Sequence, residues 1–184
     1  MEKIWTRNYP KNTPTEISNN KYNSLLDLFY DTTNLFRKNI AFRNLKSTLT
    51  FNEIEKHSKC FGSYLQNNIG VQKNTKIAIM LPNLMTYPVS LFGSFIAGAT
   101  VININPLFKS RELLGVLVDS EAEVIIVLDK FFGELEPIIE KTKIKNIIVC
   151  SPADLLSPFM KIIVRSILFI KGEKVNFKSR KTRI

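Results

Sequence analysis

The 184 residues are 45% hydrophobic and carry a formal net charge of +10. That apolar share excludes a chain that stays unfolded, and the length predicts one α/β domain with a tail. From Phe159 onward eight Lys or Arg side chains are offset by Glu173 alone, so the excess charge belongs to the tail and not to the domain.

Met1–Tyr9 places Glu2, Lys3 and Arg7 around Trp5, and no apolar run of a secretory leader is expected there. Residues 1–23 read as an extended arm, polar and interrupted by Pro10 and Pro14, with Trp5 and Tyr9 as its anchors. Ser24 is placed to cap a helix, with Asp27 three residues on and Leu25, Leu28, Phe29, Leu35 and Phe36 near helical period. Ile40–Arg43 and Thr48–Phe51 read as a β-hairpin. Thr50 and Glu53 form a capping box that opens a helix over 51–68, with Ile54, Phe61, Leu65 and Ile69 inward and Gly70 closing it.

Lys76–Leu81 is a short Ile-rich run ended by Pro82, and reads as a buried strand. Asn83 is placed to cap a helix over 84–97, where Pro88 falls in the first turns and Gly98 marks the end. Ser90, Gly93, Ser94 and Ala97 make a stripe of small residues that lets a neighbouring backbone approach. Thr100–Ile104 is the next strand, so the stretch is a βαβ unit. Ser110 then caps a helix to about Ser120, Glu123–Leu128 is a third strand, Phe131–Thr142 is helical with Pro137 near its regular start, and Asn146–Cys150 is a fourth strand. Strands beginning near 76, 100, 123 and 146 predict a mostly parallel, doubly wound sheet flanked by helices over residues 24–150.

Such sheets often bind phosphates. The seven glycines, however, include no pair one residue apart, and Gly93 and Gly98 match only the outer spacing of a P-loop, with Ala99 where its Lys belongs. They read as packing and cap residues. His57 is the single histidine, which excludes a His-rich metal site, and in mid-helix it reads as half-buried and structural. Cys60 and Cys150, each among apolar neighbours, read as buried reduced thiols of a cytosolic protein.

Leu81-Pro82-Asn83, Tyr87-Pro88-Val89, Leu91-Phe92-Gly93, Ala97-Gly98 and the run Val101–Leu107 together resemble bacterial long-chain fatty-acid–CoA ligases of the acyl-adenylate-forming superfamily. Trp5, Tyr9-Pro10 and Pro14–Ile17 resemble that family's N-terminal arm, Leu49–Ile54 its first short motif and Phe95–Leu107 its second. Arg111-Glu112-Leu113 and the turn Asp119–Ala122 also fit, so the resemblance runs from residue 3 to about 150.

It implies the first part of the AMP-binding ligase N-terminal domain. In the complete enzyme, ATP with Mg²⁺ converts a fatty acid to an acyl-adenylate, and coenzyme A takes the acyl group as a thioester. The residues that handle phosphate there lie in a Gly/Ser/Thr-rich loop ending in Lys and in later motifs, none of which has a match here. No catalytic or metal residue is therefore carried over, and the chain alone is expected to be inactive. It reads as an incomplete ligase part, with a non-catalytic membrane-surface or scaffold module, or the first half of a split ligase completed by a complementing fragment, as the alternatives. Tyr87, early in the helix after a strand, and Asn105, at another strand end, are the substrate-cleft candidates.

Residues 151–184 form a basic amphipathic tail. Leu155–Ile170 puts Lys161 and Arg165 on one narrow face of an otherwise apolar helix that is too short to span a bilayer. Phe159, Lys161, Ile162, Arg165 and Lys171 are the membrane-contact candidates for an anionic surface. The other reading is a helix packed on a ligase body. The tail has Phe177 as the sole aromatic among its last basic residues, so nucleic acid is not an expected partner and a solvated end is. The expected location is the cytoplasm, with peripheral attachment to the inner face of the membrane as the alternative.

Overall fold

The computed structural model describes residues 3–16 and 21–170, and the backbone of Thr182 and Arg183. The arm forms one 3-10 turn, Ile4–Asn8, with nothing buried. Trp5 is 59% exposed, so the aromatic rings do not anchor it; the Thr6 hydroxyl bonds the Lys3 carbonyl and Lys3 pairs with Glu16.

Helix α1, Leu25–Leu35, begins as the sequence predicts, with Ser24 Oγ accepting the Asp27 N–H at 3.1 Å. Its inward face is narrower than its periodicity suggests. Phe29 and Thr33 are buried, whereas Leu25, Leu28 and Leu35 are exposed. The helix meets its neighbours along one edge: Phe29 stacks on Phe92 at 4.0 Å, and the Thr33 hydroxyl donates to the Glu55 carboxylate at 2.7 Å.

Strands β1 (Ile40–Asn44) and β2 (Ser47–Thr50) form the expected antiparallel hairpin. Leu45 and Lys46 at its tip both have positive φ, the handedness that suits strand twist. Helix α2, Phe51–Tyr64, carries the capping box: Thr50 Oγ1 accepts the Glu53 N–H, and Glu53 Oε2 accepts the Thr50 N–H at 2.8 Å. The Thr50 backbone N–H and then its hydroxyl hold the Glu53 carboxyl below the usual range. A depressed folded value gives stability that is present above the unfolded glutamate value and lost as pH falls through the folded one. Thr50→Ala should therefore cost about 1 kcal/mol at neutral pH in urea unfolding. The gap from wild type should narrow as pH falls below about 4. Past Tyr64 the chain makes a π-helical turn, Leu65–Ile69, before Gly70.

Strand β3 (Lys76–Met80), helix α3 (Thr86–Ile96) and strand β4 (Thr100–Asn103) build the predicted parallel βαβ unit, with Ile77 opposite Val101. Gly98 closes α3 at φ +80°, a conformation that costs other residues more. The start of α3 differs from expectation. Asn83 is not its cap, because the Leu84 N–H turns back to the Pro82 carbonyl and the helix begins at Thr86 with Met85 as an N-cap that makes no side-chain bond. The small-residue stripe does seat a neighbour. A Cβ on Gly93 would lie 2.7 Å from Phe61 Cδ1 and 3.1 Å from the Ser58 carbonyl, and one on Gly62 would lie 3.0 Å from the Gly93 carbonyl. Helices α2 and α3 thus touch backbone to backbone.

Helix α4 runs Ser110–Ser120. Lys109, not Ser110, is its N-cap residue. Glu112 accepts the Lys109 N–H at 3.0 Å, and Glu134 accepts both the Ser110 N–H and its hydroxyl. The cap therefore comes from a distant carboxylate, which leaves Ser110 free to be the first helical residue. Lys109 first, then Ser110, holds the Glu134 carboxyl below its ordinary range. After β5 (Val124–Leu128) the predicted single helix is three pieces: a 3-10 turn Asp129–Phe131, α5 (Phe132–Leu135) and a second 3-10 segment Glu136–Lys141. Pro137 has no N–H to continue the α pattern, so the chain tightens there. Strand β6 is Asn146–Cys150, as expected.

The sheet order is β4-β3-β5-β6, all parallel, with Thr182–Arg183 (β7) added beside β6. Part of the tail expected to be solvated thus lies along the sheet; Lys171 and the rest of the basic run fall outside the described residues. Ile77, Ile79, Ile126 and Ile148 face the α1–α3 side, and Ala78, Met80, Ile125 and Val127 face α4 and α5. Two buried faces explain why these strands read as unbroken apolar runs. Beyond β6, Ala153 and Leu156 are buried and Ser157 N–H donates to Ser47 Oγ at 3.0 Å, which ties the tail's start to the hairpin. Helix α6, Pro158–Ile170, rests Met160 and Val164 against the core and leaves Phe159, Ile162 and Phe169 exposed.

Candidate functional site

Ligands of open parallel sheets bind outside the strands' carboxyl ends. Two features lie there. The first is a polar link between neighbouring segments, in which Tyr87 on α3 donates its hydroxyl to Asn103 Oδ1 at 3.1 Å. Tyr87 is half-buried, so its ring is held while its oxygen reaches the edge strand β4. Asn105, the other cleft candidate, caps the turn after β4: its Oδ1 accepts the Leu107 N–H at 3.0 Å and its carbonyl accepts the Phe108 N–H. No direct bond joins it to Tyr87. Asn103, the last residue of β4, is the partner that the sequence alone does not single out, and its signal is a polar residue closing an apolar run.

The second is a cavity of about 370 Å³ on the α2–α3 face. Helix α2 contributes His57, Cys60, Phe61 and Tyr64, the start of α3 contributes Thr86, Val89 and Ser90, and Cys150, Asp154, Leu155 and Lys161 close the far side. Leu155 adopts φ +59°, a left-handed conformation that costs a branched residue about 1 kcal/mol. The turn that holds it is pinned by Asp154, which accepts the Ser151 N–H at 2.6 Å. Lys161, a membrane-contact candidate, thus faces the cavity, while Arg165 is exposed.

The two cysteines differ. Both are free, but Cys60 is exposed, against the expectation of two buried thiols, because it sits on the α2 face opposite Ile54 and Leu65. The Cys150 thiol is pushed up to about 12 by burial, then by the charges of Asp154 and Asp129. Thr86 is 7% exposed and its Oγ1 has no hydrogen-bond partner. An unpaired buried hydroxyl costs about 1 kcal/mol or more. Thr86→Val, nearly the same shape, should therefore raise stability by about 1 kcal/mol in urea unfolding.

The first turn of α3 is not arranged as a phosphate cradle. A phosphate at a helix start needs free first-turn N–H groups. In α3 the Tyr87 N–H already bonds the Leu84 carbonyl at 3.0 Å, and Pro88 has none. Among the described residues no three His, Cys, Asp or Glu side chains converge to hold a metal ion.

The family model described as AMP-binding enzyme matches residues 29–169. The chain is 38% identical over 177 residues to a long-chain-fatty-acid–CoA ligase of Escherichia coli O6:H1, covering 96% of this chain and 30% of that one. It is 40% identical over 157 residues to the corresponding ligase of Haemophilus influenzae, covering 85% and 28%. Among solved structures, a long-chain-fatty-acid–CoA ligase from Archaeoglobus fulgidus superposes with TM-score 0.63 at 27% identity, over 73% of this chain and 30% of that one. An anthranilate CoA ligase superposes with TM-score 0.64 at 23% identity, over 68% and 24%, a likeness of fold. The chain spans less than a third of the length of these relatives. On the breadth of the family match and the identity over nearly its whole length, the chain belongs to the AMP-binding enzyme family.

Proposed function

We propose that this chain supplies the first α/β layer of an ATP-dependent long-chain fatty-acid–CoA ligase, a scaffold for acyl-adenylate and thioester formation that carries none of the chemistry itself. The observation that supports this reading is the pairing of 96% coverage of this chain with 30% of its E. coli relative. In the complete enzyme ATP, Mg²⁺, fatty acid and coenzyme A would be handled by residues beyond this segment. A complementing ligase fragment is the partner this reading calls for, and the cytoplasm its place of action. Tyr87, in the first turn of α3, and Asn105, just past the end of β4, are its cleft residues. The test is a chimaera in which this chain replaces the matching segment of the H. influenzae ligase: the reading expects fatty-acid-dependent acyl-CoA formation, weakened by Tyr87→Phe. A folded chimaera without activity contradicts it.

A second reading is favoured by α6. Phe159 is 71% and Ile162 67% exposed, and Arg165 lies beside them. Together these suit contact with an anionic membrane surface, to which Lys161 would add charge; Lys171, the remaining candidate, lies outside the described residues. No helix among the described residues is long and apolar enough to cross a membrane. Co-sedimentation with phosphatidylserine vesicles at low salt, lost in Phe159→Asp with Ile162→Asp, tests this reading.

A further inference from the structure

The two sheets of this chain are finished to different degrees. The parallel sheet is covered on both faces, by α1–α3 on one side and by α4 and α5 on the other. The β1–β2 sheet has two strands among the described residues and is covered on one face: Ala41 and Leu49 pack into the core, whereas Ile40 and Phe42 are exposed. Two strands alone are marginal, and further strands or a second packed layer normally complete them. Helix α1 is one-sided in the same way. Leu25, Leu28, Thr32 and Leu35 are three, four and three residues apart, the spacing of a helix-packing seam, and they carry no charge. Phe29 and Thr33 reach the core from another line of the helix, while Leu25 is 63% and Leu35 71% exposed. Phe36 holds the end of α1 to the start of the hairpin: its ring lies 5.9 Å from Phe51, whose N–H bonds the carbonyl of Asn39, the residue before Ile40. A single exposed leucine needs no explanation, but a line of them leading into an open strand does.

We propose that β1 and the outer line of α1 are the docking surface for the polypeptide that supplies the remaining ligase length, which adds a strand beside β1 and seats an apolar face on Leu28 and Leu35. The proposal rests on the ligase reading. Length argues for this occupant: the chain covers 30% of its E. coli relative, so more than two-thirds of that relative has no counterpart here. That length must pack somewhere on these residues, and the parallel sheet offers it no open face. Of the two strands of the hairpin, β1 is the open one, because Ser47 and Leu49 of β2 are buried and no residue of β1 is. Helix α6 is the other exposed apolar surface, but Lys161 and Arg165 interrupt it, whereas the outer line of α1 is free of charge. Burying that line costs no desolvated ion, and β1 has an edge on which a partner strand can complete its hydrogen bonds.

Hydrogen exchange in the H. influenzae chimaera reads this surface, while the chimaera's activity reads the ligase assignment, so the two can fail separately. Amides of residues 40–44 should exchange at least about tenfold more slowly in the chimaera than in the chain alone, because strand pairing protects them. The full chain mixed with the rest of the H. influenzae ligase as a second polypeptide should co-elute with it. Leu28→Lys with Leu35→Lys, and separately Phe42→Lys, should each weaken that binding at least about tenfold, since each puts a charge into an apolar contact. These sites are exposed in the chain alone, so its unfolding midpoint should hardly move. Phe159→Asp with Ile162→Asp should bind as wild type. Unchanged exchange at 40–44 in an active chimaera would overturn the docking surface and leave the ligase reading standing. Binding lost in the α6 variant and kept in the α1 and β1 variants would overturn it too. So would a chain that sediments alone as a dimer and becomes a monomer in Leu28→Lys with Leu35→Lys, which would give the surface to a second copy.

Discussion

Gly93→Val is expected to cost about 3 kcal/mol of folding free energy. The added Cβ alone would lie 2.7 Å from Phe61 Cδ1 and 3.1 Å from the Ser58 carbonyl. The ring can rotate slightly, but the carbonyl belongs to α2 and moves only with the helix. The branched side chain would therefore part α2 from α3 along the seam that also holds Gly62 against Ile96. Urea unfolding should show a lower midpoint with an unchanged slope. Gly115→Ala is the control. Nothing lies within 4 Å of its Cβ, so the better helix former should raise stability by about 0.5–1 kcal/mol. Equal behaviour of the two variants would mean that α2 and α3 do not touch as described.

Ile126→Ala should cost about 3–4 kcal/mol. Ile126 is 0% exposed and stands in register between Ile79 and Ile148, in the strand with neighbours on both sides. Truncating it opens a cavity between the sheet and α2–α3 where adjoining strands cannot close in. Val118→Ala, at a position 53% exposed, should stay within about 0.5 kcal/mol of wild type. Domains of this size hold about 5–15 kcal/mol in all, so either core change removes a large share of the total.

What the sequence disclosed follows from which forces are local. Ser24, the Thr50–Glu53 box and Gly98 act on backbone within four residues, and each does what its position predicts. Strands β3, β5 and β6 were legible because burial on both faces makes each of them almost wholly apolar, whereas the edge strand β4 was marked by its spacing from β3 and the helix between them. The misreadings share the opposite cause. Ser110 looks like a cap until Glu134, 24 residues on, takes its donors, and Leu25 and Leu35 look inward until α1 proves to touch its neighbours along one edge. Pro137 stands near the start of a segment as its position predicts, but that segment is 3-10 and not α, a difference that helical spacing of Leu135, Ile138 and Ile139 does not reveal.

The candidate site was less legible than the fold. Tyr87 was singled out, yet its partner Asn103 needed the parallel register of β3 and β4 to come within reach. The cavity joins residues 57 to 161, a span over which no spacing rule operates. Cys60 looked like a buried thiol because its sequence neighbours are apolar, whereas its exposure depends on which side of α2 it occupies.

The account turns on one claim, that these residues carry a ligase framework and not its phosphate chemistry. Incubating the purified chain with ATP, Mg²⁺, palmitate and coenzyme A, and measuring pyrophosphate, tests that most directly. The account predicts no palmitate-dependent pyrophosphate above a buffer blank. Sustained release by the chain alone, abolished when palmitate is left out, would contradict it.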